Sequence, residues 1–133
     1  MSVVVDTDIV VALLDTGDAN HEAAARWVVT YDDDLVTTPL ALAEMDHFAR
    51  REGALDALRR DLERGVYTVR WWADALDETL AIARRRDLSL TDASLVALAH
   101  RLRTDRIATF DHARFGALTT RAGKPFTILP DAG

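Results

Sequence analysis

Residues 3–10 read Val3-Val4-Val5-Asp6-Thr7-Asp8-Ile9-Val10, and this stretch decides the fold class. Three β-branched residues in a row, with no polar alternation, predict a strand buried on both faces, as in a parallel sheet covered by helices. Asp6 closes the strand. Ile9 to Leu14 reads as a short helix, and Asp8 is placed to cap it. An acid among Val4, Val5, Ile9 and Val10 is poorly placed for ordinary solvation, and burying it without a partner is costly.

Working outward, the same grammar repeats. Asn20 is a candidate cap for a helix carrying Ala23, Trp27, Val28 and Tyr31. Leu35–Thr37 is a second strand, and Thr38-Pro39 is a helix start, a capping hydroxyl followed by proline at the first helical position. Leu40, Glu44, Met45 and Phe48 lie along that helix. Gly53 interrupts it, and Ala54–Arg64 is a further helix with Leu55, Leu58 and Leu62 on one side. Val66–Arg70 alternates like a strand. Asp74–Arg86 is helical, with Leu76, Leu80 and Ala83 expected inward, and Thr91 is expected to cap a helix from Asp92 to Thr104. Arg106–Thr109, Asp111–Phe115 and Phe126–Leu129 complete the series as strand, short helix and strand. The expectation is an α/β fold in three layers: one domain over residues 1–133, with a central parallel sheet of about four to five strands and helices on both faces.

Composition narrows the chemistry. The 133 residues contain no cysteine, which excludes disulfides, thiolate metal sites and a cysteine nucleophile. Lys124 is the only lysine, which argues against mechanisms needing a catalytic or phosphate-binding lysine. The net charge of −6 is not that of a protein held to nucleic acid by a broad basic face. The longest apolar run, Ile9 to Leu14, is far short of the roughly 20 residues that span a bilayer. No targeting segment is visible after Met1, so a cytoplasmic location without membrane attachment is expected.

In open parallel sheets, ligands bind outside the carboxyl ends of the strands. Asp6 and Asp111 fall at or just past two such ends, and Glu44 and Asp92 lie on helices that start near that rim. Clustered carboxylates raise one another's pKa and call for a counter-charge. A hard cation with oxygen ligands, magnesium or manganese, meets that need. Each acid also has a plainer local reading: Asp92 stabilising a helix N-terminus, Asp8 and Asp111 capping helices, Glu44 on a solvated surface.

The stretches 3–10, Thr38-Pro39-Leu40-Ala41-Leu42-Ala43-Glu44, Leu88-Ser89-Leu90-Thr91-Asp92-Ala93 and Ile107-Ala108-Thr109-Phe110-Asp111 resemble the four acidic motifs of the PIN-domain nucleases, in the family's order and at compatible spacing. Within the family the chain most resembles the VapC-type toxins of toxin–antitoxin pairs. The resemblance implies that Asp6, Glu44, Asp92 and Asp111 bind Mg2+ or Mn2+ for endoribonuclease activity on RNA, supported by the Thr109 hydroxyl. It also implies homodimerisation and inhibition by a cognate antitoxin protein. Asp8 stands where the family often has Ser or Asn, leaving its role open between a cap and an added charge.

Two other readings compete. Asp6-Thr7-Asp8-Ile9-Val10 also resembles the first motif of haloacid dehalogenase-type phosphatases, with Asp6 as nucleophile. That family needs a lysine ahead of its last acidic motif, and Lys124 comes after every candidate acid; a response-regulator receiver fails on the same residue. In a non-catalytic PIN-like interaction module the acids would only cap helices and would lie scattered.

Overall fold

A computed structural model describes residues 1–130. Five short strands form one sheet: β1 (Val3–Val5), β2 (Leu35–Thr37), β3 (Tyr67–Val69), β4 (Arg106–Ala108) and β5 (Thr127–Leu129). Their order is β3-β2-β1-β4-β5 and every pairing is parallel. Seven helices connect them: α1 (Thr7–Leu14), α2 (His21–Thr30), α3 (Pro39–Glu52), α4 (Leu55–Glu63), α5 (Ala75–Arg86), α6 (Leu90–Leu102) and α7 (His112–Gly116). None is long and apolar enough to cross a membrane.

Chain order explains the layers. The path β1→β2→β3 steps one way across the sheet, and β3→β4 returns to the other side of β1. Right-handed crossovers then put helices on both faces of the sheet; α1 packs on α2 and α3, α3 on α4, and α5 on α6. The topological switch point lies between β1 and β4, where such sheets form their crevice. Val3, Val4 and Val5 are fully buried, as the apolar run predicts.

Local chemistry sets the element ends, with some differences from expectation. Thr38 caps α3, its hydroxyl accepting from the Ala41 N–H, and Pro39 is the first helical residue. Gly53 closes α3 at φ 72°, a left-handed conformation that suits glycine. Helix α1 is capped by Asp6, not Asp8: Asp6 is extended and its carboxylate accepts from the Thr7 N–H at 2.7 Å. Helix α6 is capped by Ser89, not Thr91, because the Ser89 hydroxyl reaches the Asp92 N–H at 3.1 Å. Asn20 holds the capping position of α2 without a side-chain bond.

The buried residues of α5 are Ala75, Thr79 and Ile82; of the expected stripe, Leu80 and Ala83 are half-buried, with Ala83 packed against the core, whereas Leu76 is 55% exposed. Small side chains there let α5 lie close on α6. Helix α6 is itself buried from Asp92 through Ala99, walled by α5, α3 and β1. On α3 and α4, Met45 and Leu58 enter the core, while Leu40, Phe48, Leu55 and Leu62 stay half-buried. Trp72 is half-buried and donates its indole N–H to Glu78, whereas Trp71 is 41% exposed.

Candidate active site

Short elements bring the acids to one rim. Asp6 comes directly after β1 and is 3% exposed. Thr109 comes directly after β4, is fully buried, and donates to Asp6 Oδ2 at 2.9 Å; its Oγ1 also lies 3.2 Å from Asp8 Oδ2. The same Thr109 oxygen accepts from the Asp111 N–H at 3.0 Å, so one hydroxyl ties together the ends of β1, α1 and β4. Asp8 is not a cap. It sits in the first turn of α1 and its Oδ2 accepts the Phe110 N–H at 3.0 Å. Its Oδ1 is buried with no hydrogen-bond partner.

Glu44 is exposed on α3 and reaches the rim through Thr7, whose hydroxyl lies 3.2 Å from Glu44 Oε1. Asp92 is buried in the first turn of α6. Asp111 caps α7, its Oδ1 accepting from the Arg114 N–H at 2.9 Å.

Among these carboxylates lies a residue the sequence reading missed. The guanidinium of Arg114 donates to Asp6 Oδ2 at 2.8 Å, lies 3.2 Å from Asp92 Oδ2, and approaches Asp111 Oδ2 at 3.5 Å. The spacing Asp111-x-x-Arg114 on a helix start was the available signal, since such pairs share a helix face.

The electrostatics track burial. Desolvation, and then the Asp8 carboxylate alongside, push Asp6 from its ordinary value of 3.8 up to about 6, against the lowering effects of Thr109, Arg114 and the Thr7 N–H. Desolvation likewise raises Asp8, and it raises Asp92 despite the nearby Arg114. Glu44 and Asp111 both act on Asp92, so these acids share one field.

Asp6, Asp92 and Asp111 therefore ring the Arg114 guanidinium, each facing a different nitrogen, with Asp8 and Glu44 at the same rim. All the donors are carboxylate oxygens, which suits a hard cation such as magnesium or manganese. As the side chains stand, no three of them among the described residues are arranged to hold a metal ion. The acids are not scattered, contrary to a reading in which they only cap helices. Lys124 lines a groove with Asp105 and Thr127, at the starts of β4 and β5. That is the edge opposite Asp6, so no lysine is available to steady an aspartyl-phosphate there.

Comparison with known proteins agrees with this geometry. The PIN domain family model matches residues 3–118. Ribonuclease VapC26 of Mycobacterium tuberculosis is 30% identical over 134 residues, covering 96% of this chain and 99% of that protein. Ribonuclease VapC29 of the same organism is 30% identical over 118 residues, covering 84% of this chain and 86% of that protein. Two solved structures share the fold. Mycobacterium tuberculosis VapC20, described as a sarcin-ricin loop cleaving toxin, superposes with a TM-score of 0.73 at 22% identity, covering 83% of this chain and 90% of that one. A toxin–antitoxin complex from Klebsiella pneumoniae gives 0.69 at 18% identity, covering 87% and 92%. With its strand-end acids, its parallel sheet and a family match spanning nearly all of it, this chain belongs to the PIN domain family and, within it, to the VapC-type ribonucleases.

Proposed function

We propose that this chain is a divalent-metal-dependent endoribonuclease toxin of VapC type, acting at the rim between β1 and β4. One observation carries the reading: Asp6, Asp92 and Asp111 converge on a single cation, Arg114, at the sheet's switch point. Asp6, Glu44, Asp92 and Asp111 would hold Mg2+ or Mn2+. A bound ion of that kind activates water and offsets charge on a phosphoryl group.

The chain's own residues prepare the site. Thr109 fixes the Asp6 carboxylate and the Asp111 backbone together, limiting the reorganisation needed when a cation binds. Asp8 adds a further negative charge, with Oδ2 anchored at Phe110 and Oδ1 unpaired. Glu44 stands toward solvent, where an RNA strand would approach. With a net charge of −6, RNA binding here is local and coupled to the cation rather than spread over a basic face.

The expected partners are RNA, a cognate antitoxin protein and a second copy of the chain, in the cytoplasm. The names of VapC26, VapC29 and the Klebsiella complex support the ribonuclease and antitoxin parts of this reading. The test is RNA cleavage by the purified chain with Mg2+ or Mn2+, with excess chelator, and with Asp6→Asn. Cleavage is expected only in the first case. Undiminished cleavage under chelation would remove the metal from the mechanism, and undiminished cleavage by the variant would remove Asp6.

A further inference from the structure

Arg114 occupies the place where the acids need a positive charge, and it does so from within the chain. No other basic side chain among the described residues forms an ion pair with Asp6, Asp92 or Asp111. Its seat is nevertheless incomplete. Nε is buried and makes no hydrogen bond, although Asp111 Oδ2 is 3.5 Å away. Another buried oxygen at the rim, Asp8 Oδ1, also has no hydrogen-bond partner.

The seat is also escapable. The Arg114 side chain is 35% exposed, so part of it already borders solvent. In its seat the guanidinium carbon also lies 4.9 Å from the centroid of the buried Phe115 ring, a face that attracts a cation, so leaving the rim gives up that contact as well. The backbone ties are independent of the guanidinium: Asp111 Oδ1 holds the Arg114 N–H, and Thr109 holds Asp6. Withdrawing the guanidinium therefore leaves these carboxylates anchored.

We propose that Arg114 is a tethered counter-cation that closes the acidic rim and must be displaced from Asp6, Asp92 and Asp111 before a divalent ion can enter. The proposal rests on the reading of this rim as a metal site. A divalent ion and a guanidinium lodged among the same carboxylates repel each other and compete for the same oxygens. The side chain thus makes the protein stable and inert without metal, and it sets a threshold of ion concentration for activity.

The experiment is Mn2+ binding to the metal-free chain, read from the resonance of free Mn2+ or by calorimetry, for wild type, Arg114→Ala, Arg114→Gln and Asp6→Asn. Removing charge-assisted hydrogen bonds that the ion must otherwise break should tighten Mn2+ binding by about tenfold to a hundredfold in both Arg114 variants. Their metal-free forms should melt at lower temperature than wild type. A second measurement needs no variant: on adding Mg2+, one protected arginine Nε–H signal of wild type should lose its protection from solvent exchange.

If wild type binds Mn2+ and the Arg114 variants bind it equally or more weakly, this inference falls while the metal site stands. An arginine Nε–H spectrum that ignores saturating Mg2+ has the same meaning. If wild type and the Arg114 variants all fail to bind divalent ions, both the inference and the metal-dependent reading fall.

Discussion

Two ion pairs in this molecule use the same chemical groups and reach opposite electrostatic outcomes. At the carboxyl rim of the sheet, Arg114 meets Asp6 at 2.8 Å. At the opposite edge, Arg106 meets Asp33 at 3.0 Å, and the N-terminal ammonium of Met1 reaches Asp33 at 3.1 Å. Asp33 is held below its ordinary value, first by the hydrogen bond from that ammonium. Asp6 is pushed up to about 6, first by burial and then by Asp8. An arginine partner does not by itself decide the sign. Water does: Asp33 keeps access to solvent, while Asp6 has given up its hydration and gained a like-charged neighbour. The outer pair is ordinary surface stabilisation, and the rim pair holds an unfavourable charge that a stronger cation would relieve.

The sharpest way to break this contrast is Asp6→Asn. RNA cleavage should fall to background, while the metal-free protein at pH 7.5 becomes more stable, by about 1–3 kcal/mol in denaturant titrations. A less stable variant would mean that the Arg114 pair outweighs desolvation.

The second probe is pH. Asp6 holds its proton more tightly folded than unfolded, so its contribution to stability falls as pH rises from 3.8 to about 6, and the full cost is present above that. Metal-free stability should therefore decline across this window, and the decline should flatten in Asp6→Asn. Asp33 has the opposite sign: its contribution is present above 3.8 and is lost only as pH falls below that value. Asp33→Asn should leave the slope between pH 4.5 and 7 unchanged.

Thr109→Val comes third. It removes the hydroxyl that serves Asp6, Asp8 and the Asp111 N–H, and should cost about 1–3 kcal/mol of stability. Mn2+ affinity should drop by about tenfold in the same binding assay. The smallest effect is expected from Arg106→Gln at the other edge, with unchanged cleavage and a melting temperature barely distinguishable from wild type. A large loss there would show that the outer pair is as consequential as the inner one.

Much of the frame is legible in the sequence because the relevant signals are local. A strand that runs directly into Asp6, a strand followed by Thr109 and then Asp111, and the Thr38-Pro39 helix start place their residues on the rim through backbone geometry alone. The two caps that differ from expectation, Asp6 in place of Asp8 and Ser89 in place of Thr91, lie where neighbouring polar residues compete for the same N–H groups, and only the backbone angles choose among them. The inward face of α5 differs at Leu76 because hydrophobicity points there, whereas close packing on α6 selects Ala75 and Thr79.

The sequence by itself determined a buried parallel sheet with acids at its strand ends, since β-branched runs and capping chemistry act over a few residues. Tertiary structure alone decided what those acids meet. The return of β4 beside β1 sets α7 over the rim and turns Arg114, otherwise one arginine among fifteen, into the shared partner of Asp6, Asp92 and Asp111. It also decided that Asp6 is raised and Asp33 lowered, because desolvation depends on everything packed around a group and is written in no short stretch of chain.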